Sequence, residues 1–309
     1  MTLSWMAWAW IPLTLWAALA QTARNAAQRS VTAELGTLAA TLVRFLYGLP
    51  LATAWVAGLT LVGEGYPVPH FSLPYAAWLA MGALTQVGAT AFLLLAMKER
   101  NFVLAVAYSK TEVLQVALFS AVLLQELPGP LAFGAMAVAT LGVVLLSLPA
   151  GGWRTLRAGE GGSSKLVVYG LASGACFALA SVGFRGASLA LGEGVAPWVA
   201  GAWGVFWAQL LQSVVLGGWL LVRQPGVAGA IARAWRLSVV AGSMGALASI
   251  AWFTAYAMRL ASDVRTLGLV EVLFSYLVSR RMFRESLSRS EGIGLALVLA
   301  GLVGICAQW

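Results

Sequence analysis

Two pairs of glutamates, each separated by fourteen residues, carry the clearest chemistry in this sequence. Glu112 precedes an apolar run that ends at Glu126, and Glu271 precedes a similar run that ends at Glu285. On an α-helix, fourteen residues extend about 21 Å at 1.5 Å per residue. If the later glutamate of each pair lies at a membrane surface, the earlier one lies well inside the hydrocarbon. An ionisable group there is costly to bury and marks a functional site by default.

The elements that position these glutamates are strongly apolar. Of the 309 residues, 61% are hydrophobic and 10% are charged, and the mean hydropathy is +0.86. Soluble globular proteins carry about 25% charged residues. The composition therefore predicts an all-α integral membrane protein, because helices satisfy their own backbone hydrogen bonds in lipid. The net charge of +8 comes mostly from Lys and Arg residues between the apolar runs, which we interpret as loops that determine membrane topology. No nucleic-acid partner is therefore expected.

Apolar runs long enough to cross a bilayer predict ten transmembrane helices. A helix needs about 20 apolar residues to span the hydrocarbon. The first four runs cover about 5–23, 34–62, 74–97 and 102–124, and a fifth follows Pro128-Gly129-Pro130 and ends near 148. The second five cover about 166–191, 197–222, 235–260, 264–279 and 292–309.

Charged residues and turns recur in the same order in the two halves. Arg24, Phe92 and Lys98 recur 161 residues later as Arg185, Phe253 and Arg259, and Glu112, Glu126 and Gly142 recur 159 residues later as Glu271, Glu285 and Gly301. We divide the chain into a first five-helix repeat (1–149), a Gly-rich basic linker (150–165) and a second five-helix repeat (166–309). Five is odd, so the repeats enter the membrane from opposite sides. Inverted repeats are typical of secondary transporters, which bind substrate near the midplane.

The distribution of Lys and Arg predicts the orientation. The loops after odd-numbered spans carry fourteen of these residues, whereas the loops after even-numbered spans carry only Arg185, Arg259 and Arg265. Cytoplasmic loops are enriched in Lys and Arg. This distribution places both termini outside the plasma membrane, and a bacterial inner membrane is the expected location.

Short motifs at these repeated positions resemble the EamA-like members of the drug/metabolite transporter superfamily. They are Ala96-Met97, Glu112-Val113 and Gln125-Glu126-Leu127 in the first half, and Ala257-Met258, Glu271-Val272 and Arg284-Glu285-Ser286 in the second. The family pattern has proline after each intramembrane glutamate, where this chain has valine, so a proline kink there is not expected. In that family both termini are placed in the cytoplasm, which disagrees with the orientation that the distribution of Lys and Arg predicts for this chain. The resemblance implies a ten-helix transporter of small metabolites or amphipathic compounds, usually outward.

Charged residues inside the predicted spans are the first candidates for a substrate or coupling site. Glu112 and Glu271 are each interpreted either as a proton-coupling or substrate-binding carboxylate or as a structural ion-pair partner. Arg44 either clamps a carboxylate or phosphate or pairs with a buried acid, and it is the partner that we expect for Glu112. Lys110 lies two residues from Glu112 and therefore points to another helix face.

Aromatic and amide side chains form a second group of candidates. Trp16, Trp203, Trp207, Trp252 and Tyr108 are interpreted either as walls of a cavity for an apolar or cationic group or as lipid-facing and interfacial residues. Gln86 either lines the same cavity or holds helices together. Small residues in the fifth and tenth spans, among them Gly134, Gly142 and Gly301, predict close helix packing.

These observations predict a secondary transporter that exports a small metabolite, such as an amino acid or organic anion, by alternating access. An exporter of amphipathic or cationic compounds and a non-transporting receptor or assembly factor are the alternatives. No enzymatic activity, metal or cofactor is expected, since the single histidine, His70, lies in a loop and no nucleotide-binding motif occurs. The expected partners are a small-molecule substrate and the lipid bilayer, with the chain acting as a monomer or homodimer.

Overall fold

The computed structural model describes residues 4–62, 65–98, 108–146, 164–274 and 289–307, and the elements named within them are all α-helices. They are α1 (Ser4–Trp8), α2 (Trp10–Leu35), α3 (Thr37–Leu46), α4 (Leu49–Leu61), α5 (Leu73–Lys98), α6 (Glu112–Leu123), α7 (Pro130–Leu146), α8 (Ser164–Ala190), α9 (Pro197–Arg223), α10 (Val227–Arg233), α11 (Trp235–Met258), α12 (Ala261–Leu267) and α13 (Arg289–Cys306). The predicted all-helical class is confirmed for this part of the chain.

Five helical stretches among the described residues are long and apolar enough to cross a membrane. They are Thr37–Leu61, which combines α3 and α4, and Leu73–Leu93, Lys165–Ala190, Pro197–Arg223 and Trp235–Met258. Helix α7 and residues Gly292–Cys306 of α13 are shorter apolar helices. These helices are compatible with a multi-pass membrane protein. The full set of ten spans and the inverted repeat remain predictions.

The first long helix departs from the expected boundaries. We predicted that the first span ends at Arg24-Asn25, but α2 continues through both residues to Leu35. From Leu13 to Leu35 the sequence holds neither proline nor glycine, so nothing interrupts the helical hydrogen bonds. The helix ends at Gly36, whose φ of 75° favours glycine. Arg24 therefore lies within a helix and is buried, although we assigned it to a loop.

The first of two contact-defined units comprises Met1–Val87 and Gly183–Arg259. Within it α2 packs along α11, and α11 also packs against α9 and α3. The side chains of Arg24 and Arg44 converge on Gly245 of α11, where an added Cβ would meet Arg44 Cγ at 3.1 Å and Arg24 Cδ at 3.3 Å. Two buried arginines thus share one location in this unit.

The second unit comprises Gly88–Val182 and Leu260–Trp309. Within it α7 packs along α13, and α12 packs against α6, α13 and α7. Each unit draws residues from both halves of the sequence, and α5 and α8 contribute to both. Most of the predicted 150–165 linker, together with Glu285, lies outside the described residues.

The close packing of α7 and α13 confirms part of the prediction from small residues. A Cβ added to Gly301 would lie 2.7 Å from the carbonyl oxygen of Ala135, and one added to Gly294 would lie 2.9 Å from that of Gly142. Gly134 was predicted at the same contact but has no other group within 4 Å of an added Cβ. The two helix backbones therefore approach each other on the Gly142 face of α7 and not on the Gly134 face.

Candidate functional site

A break in the helix immediately precedes Glu112. Residues 108–110 are helical, Thr111 forms a turn, and α6 begins at Glu112. The amide of Thr111 donates to the carbonyl of Tyr108 at 3.3 Å, and the amide of Leu114 donates to that of Thr111 at 3.1 Å. These three-residue spacings are typical of 3₁₀ turns, which often mark hinges when they interrupt a helix. Glu112 thus occupies the first turn of α6, where the helix dipole favours a carboxylate.

A second break precedes Glu271. Helix α12 ends at Leu267, residues 268–269 form a turn, and residues 270–274 are helical. The amide of Glu271 donates to the carbonyl of Gly268 at 3.1 Å, and that of Val272 donates to Leu269 at 2.9 Å. The missing prolines after Glu112 and Glu271 gave no reason to expect kinks. The helices are nevertheless interrupted, and each interruption lies just before the glutamate.

Each of the two carboxylates is paired with a cation from the other half of the sequence. Arg265 Nη2 donates to Glu112 Oε1, and Lys110 Nζ donates to Glu271 Oε2 at 3.3 Å. The side chains of Glu112 and Arg265 are only 3% and 12% exposed. Those of Glu271 and Lys110 are 9% and 17% exposed. All four residues belong to the second unit, and we call them the charge cluster.

The charge cluster has no net charge, since it combines two carboxylates with one guanidinium and one ammonium. Removing a charge from water is expensive unless a partner and further hydrogen bonds compensate it. Arg265 and Lys110 supply those partners to groups that are otherwise enclosed by apolar helices. The cluster can therefore exist inside a membrane only while both pairs are made or while other groups replace them.

The pairing corrects one interpretation drawn from the sequence. We expected Arg44 to be the partner of Glu112, but Arg265 occupies that place. Lys110, which the two-residue spacing placed on another helix face than Glu112, contacts Glu271. Spacing along one helix correctly excluded the Lys110–Glu112 pair, but it could not show which neighbouring helix brings the partner.

Arg265 is the member of the charge cluster that sequence reasoning missed. We assigned it to a loop and used it as one of three outer cations, and the ninth span was expected to begin at Val264. The residue instead lies inside α12, which begins at Ala261. A signal was present, because Arg265 stands six residues before Glu271 in an otherwise apolar stretch that also holds Asp263.

Helix α8 approaches the first break at Gly174. A Cβ added there would lie 3.0 Å from the carbonyl oxygen of Ser109 and 3.3 Å from the amide nitrogen of Glu112. The neighbouring Ser173 hydroxyl lies 3.3 Å from the Ser109 hydroxyl and donates to the Ala89 carbonyl at 2.9 Å. The lack of a side chain at Gly174 therefore lets α8 support the break directly.

Gly174→Ala should destabilise the protein by about 1–3 kcal/mol, the range for overpacking a filled interior. The added methyl would press on backbone atoms on both sides of Thr111, and these cannot move like a flexible side chain. Gly88→Ala is the matched control, because its Cβ would meet only Cys176 Sγ at an ordinary 3.7 Å. The midpoint of thermal unfolding in detergent measures both variants. Equal midpoints would mean that α8 does not hold the break.

The remaining candidates lie elsewhere in the two units. Tyr108, in the second unit, packs against the buried pair Ala96 and Leu166. In the first unit, Arg44 is buried with its guanidinium 5.1 Å from the Phe45 ring centre, and Gln86 Oε1 accepts a hydrogen bond from Gln212 at 2.8 Å. The structure therefore brings together Glu112, Lys110 and Glu271 from the predicted set, with Arg265 added.

The tryptophans among the candidates divide into three environments in the first unit. Trp203 and Trp207 stack with centroids 6.3 Å apart in a cluster with Phe71 and Phe206. Trp252 is buried, and its Nε1 donates to Gln21 at 3.2 Å. Trp16 is exposed, as a lipid-facing residue would be.

The chain shares its fold with a solved structure. That match covers 99% of this chain and 99% of the other, with a TM-score of 0.69 and 20% sequence identity, and it is described only as "Crystal structure of protein". No protein-family model and no curated protein matches the sequence. At this identity the likeness extends to the fold over the whole length and carries no information on activity.

Within the described part of the chain, no three His, Cys, Asp or Glu side chains come together as metal ligands would. The charge cluster contains two carboxylates, but each is engaged by a cation. Ion pairs of this kind can exchange partners, because a proton neutralises a carboxylate and another cation or anion can replace one member of a pair.

Proposed function

We propose that the protein is a secondary transporter that exports a small carboxylate-bearing metabolite, such as an amino acid, by alternating access. The observation that carries the proposal is the charge cluster, in which two buried carboxylates follow two breaks in apolar helices. Discontinuous helices whose ends face charged groups are characteristic of transporter substrate and ion sites. Ionisable residues inside a membrane mark transport pathways for the same energetic reason.

The cluster suggests how substrate and conformation are coupled. A substrate carboxylate competes with Glu112 for Arg265, and a substrate ammonium group competes with Lys110 for Glu271. The Lys110–Glu271 pair is the more exposed of the two, so it is the first that a solute reaches. Exchange of partners changes the force on the turns at Thr111 and Gly268, which lie directly before the glutamates.

The membrane arrangement belongs to the same proposal. Five described helices of spanning length, the repeated motifs and the distribution of Lys and Arg support a proposed arrangement of ten spans in two inverted repeats with external termini. The location that we propose is a bacterial inner membrane. The EamA-like resemblance supports outward transport of metabolites. The solved structure that shares this fold has a description that names no activity, so it is neutral with respect to the proposed function.

Glu112→Gln should lower transport at least about tenfold, because a charge-assisted hydrogen bond contributes about 1.5–3 kcal/mol and each 1.4 kcal/mol is a factor of ten. The measurement is uptake of a labelled amino-acid and organic-acid panel by proteoliposomes. Glu126→Gln is the matched control, since Glu126 lies beyond the end of α6 and should leave transport within about twofold. Equal transport by wild type and Glu112→Gln would remove the charge cluster from the mechanism.

A second candidate function is export of aromatic or cationic amphiphiles, and the ring cluster in the first unit favours it. The Phe71 ring lies 5.2 Å from Trp203 and 5.8 Å from Trp207, and Phe206 lies 5.1 Å from Trp207. Aromatic faces attract cations by about 0.5–2 kcal/mol. The same vesicles, given labelled tetraphenylphosphonium, distinguish the two functions: transport of this cation with no transport of carboxylates would favour the second.

A further inference from the structure

An apolar groove of about 430 Å³ runs between α3, α9 and α10 in the first unit. Its walls include Leu42 and Leu46 from α3, Val214 and Leu221 from α9, and Ala228 and Ile231 from α10. Leu46, Val214 and Leu221 are exposed at its rim. The groove is open to whatever surrounds the helices, and in a membrane that surrounding is lipid.

The wall formed by α10 is firmly attached to the long helices. Val227 and Ile231 are buried in a cluster with Leu42, Leu216 and Leu220. The hydroxyl of Tyr47, at the end of α3, donates to the carbonyl of Ile231 at 3.2 Å. The groove is therefore a preformed feature of the unit, and its shape does not depend on a ligand to hold α10 in place.

The chain segment that contains α10 and borders the groove is strongly basic. The segment 223–236 contains Arg223, Arg233 and Arg236 and no acidic residue. All three arginines are exposed, and within the described chain none of them forms an ion pair. The Arg236 guanidinium lies 5.6 Å from the ring centre of Trp235.

Two exposed tryptophans near this basic segment are typical of the boundary between water and hydrocarbon. Trp219 and Trp235 are 46% and 53% exposed, and exposed tryptophans concentrate at the two interfaces of a membrane. Along α9 the groove extends from Leu221 to Ser213, about 12 Å at 1.5 Å per residue. One leaflet contributes about 15 Å of a 30 Å hydrocarbon core. The groove thus begins near the headgroups and follows the depth of one leaflet.

We propose that this groove binds an anionic phospholipid, with an acyl chain along α9 and the phosphate beside the arginines of the α9–α11 connection. The apolar groove and the basic segment beside it match the two parts of one amphiphile. Basic pockets between membrane helices on the cytoplasmic side bind anionic headgroups for this reason. The site is separate from the charge cluster and does not depend on the transport proposal.

Native mass spectrometry of the detergent-solubilised protein tests the site with phosphatidylglycerol and phosphatidylcholine of equal chain length. Wild type should retain phosphatidylglycerol more tightly, by roughly fivefold for each arginine that engages the phosphate, the equivalent of about 1 kcal/mol per cation. Changing all three arginines to glutamine should abolish the preference, and changing all three to lysine should preserve it. Soluble glycerol phosphate should not displace the lipid, because it cannot occupy the groove.

Gly218→Leu tests the acyl-chain part of the site. Gly218 lines the groove and an added Cβ meets nothing within 4 Å, so the first carbon of a leucine side chain fits there and the side chain occupies groove volume. Gly58→Leu is the matched control, since Gly58 also has open space around it and lies outside the groove. Loss of bound lipid only in Gly218→Leu is the expected result. Equal retention of the two lipids by wild type, unchanged binding in Gly218→Leu, or conversion of a lipid-free dimer to a monomer by that variant would each overturn the proposal.

Discussion

Arg265→Gln is expected to lower the free energy of unfolding by about 3–5 kcal/mol, the loss typical when one partner of a buried ion pair is removed. The Glu112 carboxylate would be left 3% exposed without its guanidinium, and water cannot easily replace that partner. The effect should appear as a clear fall in the midpoint of thermal unfolding in lipid-free detergent. Lys165→Gln, at an exposed position on α8, is the control and should change stability by less than about 0.5 kcal/mol.

The double variant Glu112→Gln/Arg265→Gln distinguishes two causes of instability: loss of the ion pair itself, and a buried carboxylate that is left without its partner. Removing both charges eliminates the uncompensated carboxylate, so the double variant should be more stable than Arg265→Gln alone. Coupling energies between contacting residues reach about 0.5–3 kcal/mol. Additive effects of the two single changes would contradict the direct pairing of these side chains.

The apolar character and the two buried glutamates could be predicted from the sequence. Composition predicted an all-helical membrane protein, and the fourteen-residue spacing identified Glu112 and Glu271 as buried ionisable groups. Both properties are local, because hydropathy and burial depend mainly on the residues of one segment. The all-helical class and the burial of the two carboxylates therefore followed from the residues of single segments.

The partners of those carboxylates could not be predicted in the same way. Pairing of Glu112 with Arg265 and of Lys110 with Glu271 joins residues 153 and 161 positions apart. No periodicity within a helix encodes which distant segment lies beside it. Arg44 was chosen because it stands inside a span, and Arg265 was overlooked because it stands near a predicted span end.

The helix breaks show a different limit of sequence reasoning. Proline is the usual signal for an interruption, and neither Glu112 nor Glu271 is followed by one. At the first break, the Thr111 hydroxyl donates to the Tyr108 carbonyl at 2.6 Å and accepts from Gln115 at 3.0 Å. Side-chain hydrogen bonds of this kind compete with the helical pattern, and they depend on neighbours that the sequence alone does not reveal.

Gly142→Leu is expected to have the other large effect, a destabilisation of about 3 kcal/mol or more, at the upper end of overpacking. A Cβ added at Gly142 would lie 2.6 Å from the Val298 amide nitrogen and 2.7 Å from the Gly294 carbonyl oxygen. Both atoms belong to the backbone of α13, so the two helices would have to move apart along their whole contact.

Gly134→Leu is the matched control for this change. Gly134 lies on the same helix, but it is exposed and an added Cβ meets nothing within 4 Å. A lipid-facing leucine there should leave the unfolding midpoint of the detergent-solubilised protein nearly unchanged. Close small-residue contact substitutes for the hydrophobic driving force that helices lack in lipid, so only the change on the contact face should disrupt α7 and α13. Equal destabilisation by both variants would mean that leucine is unfavourable throughout α7 and that the contact at Gly142 contributes nothing specific.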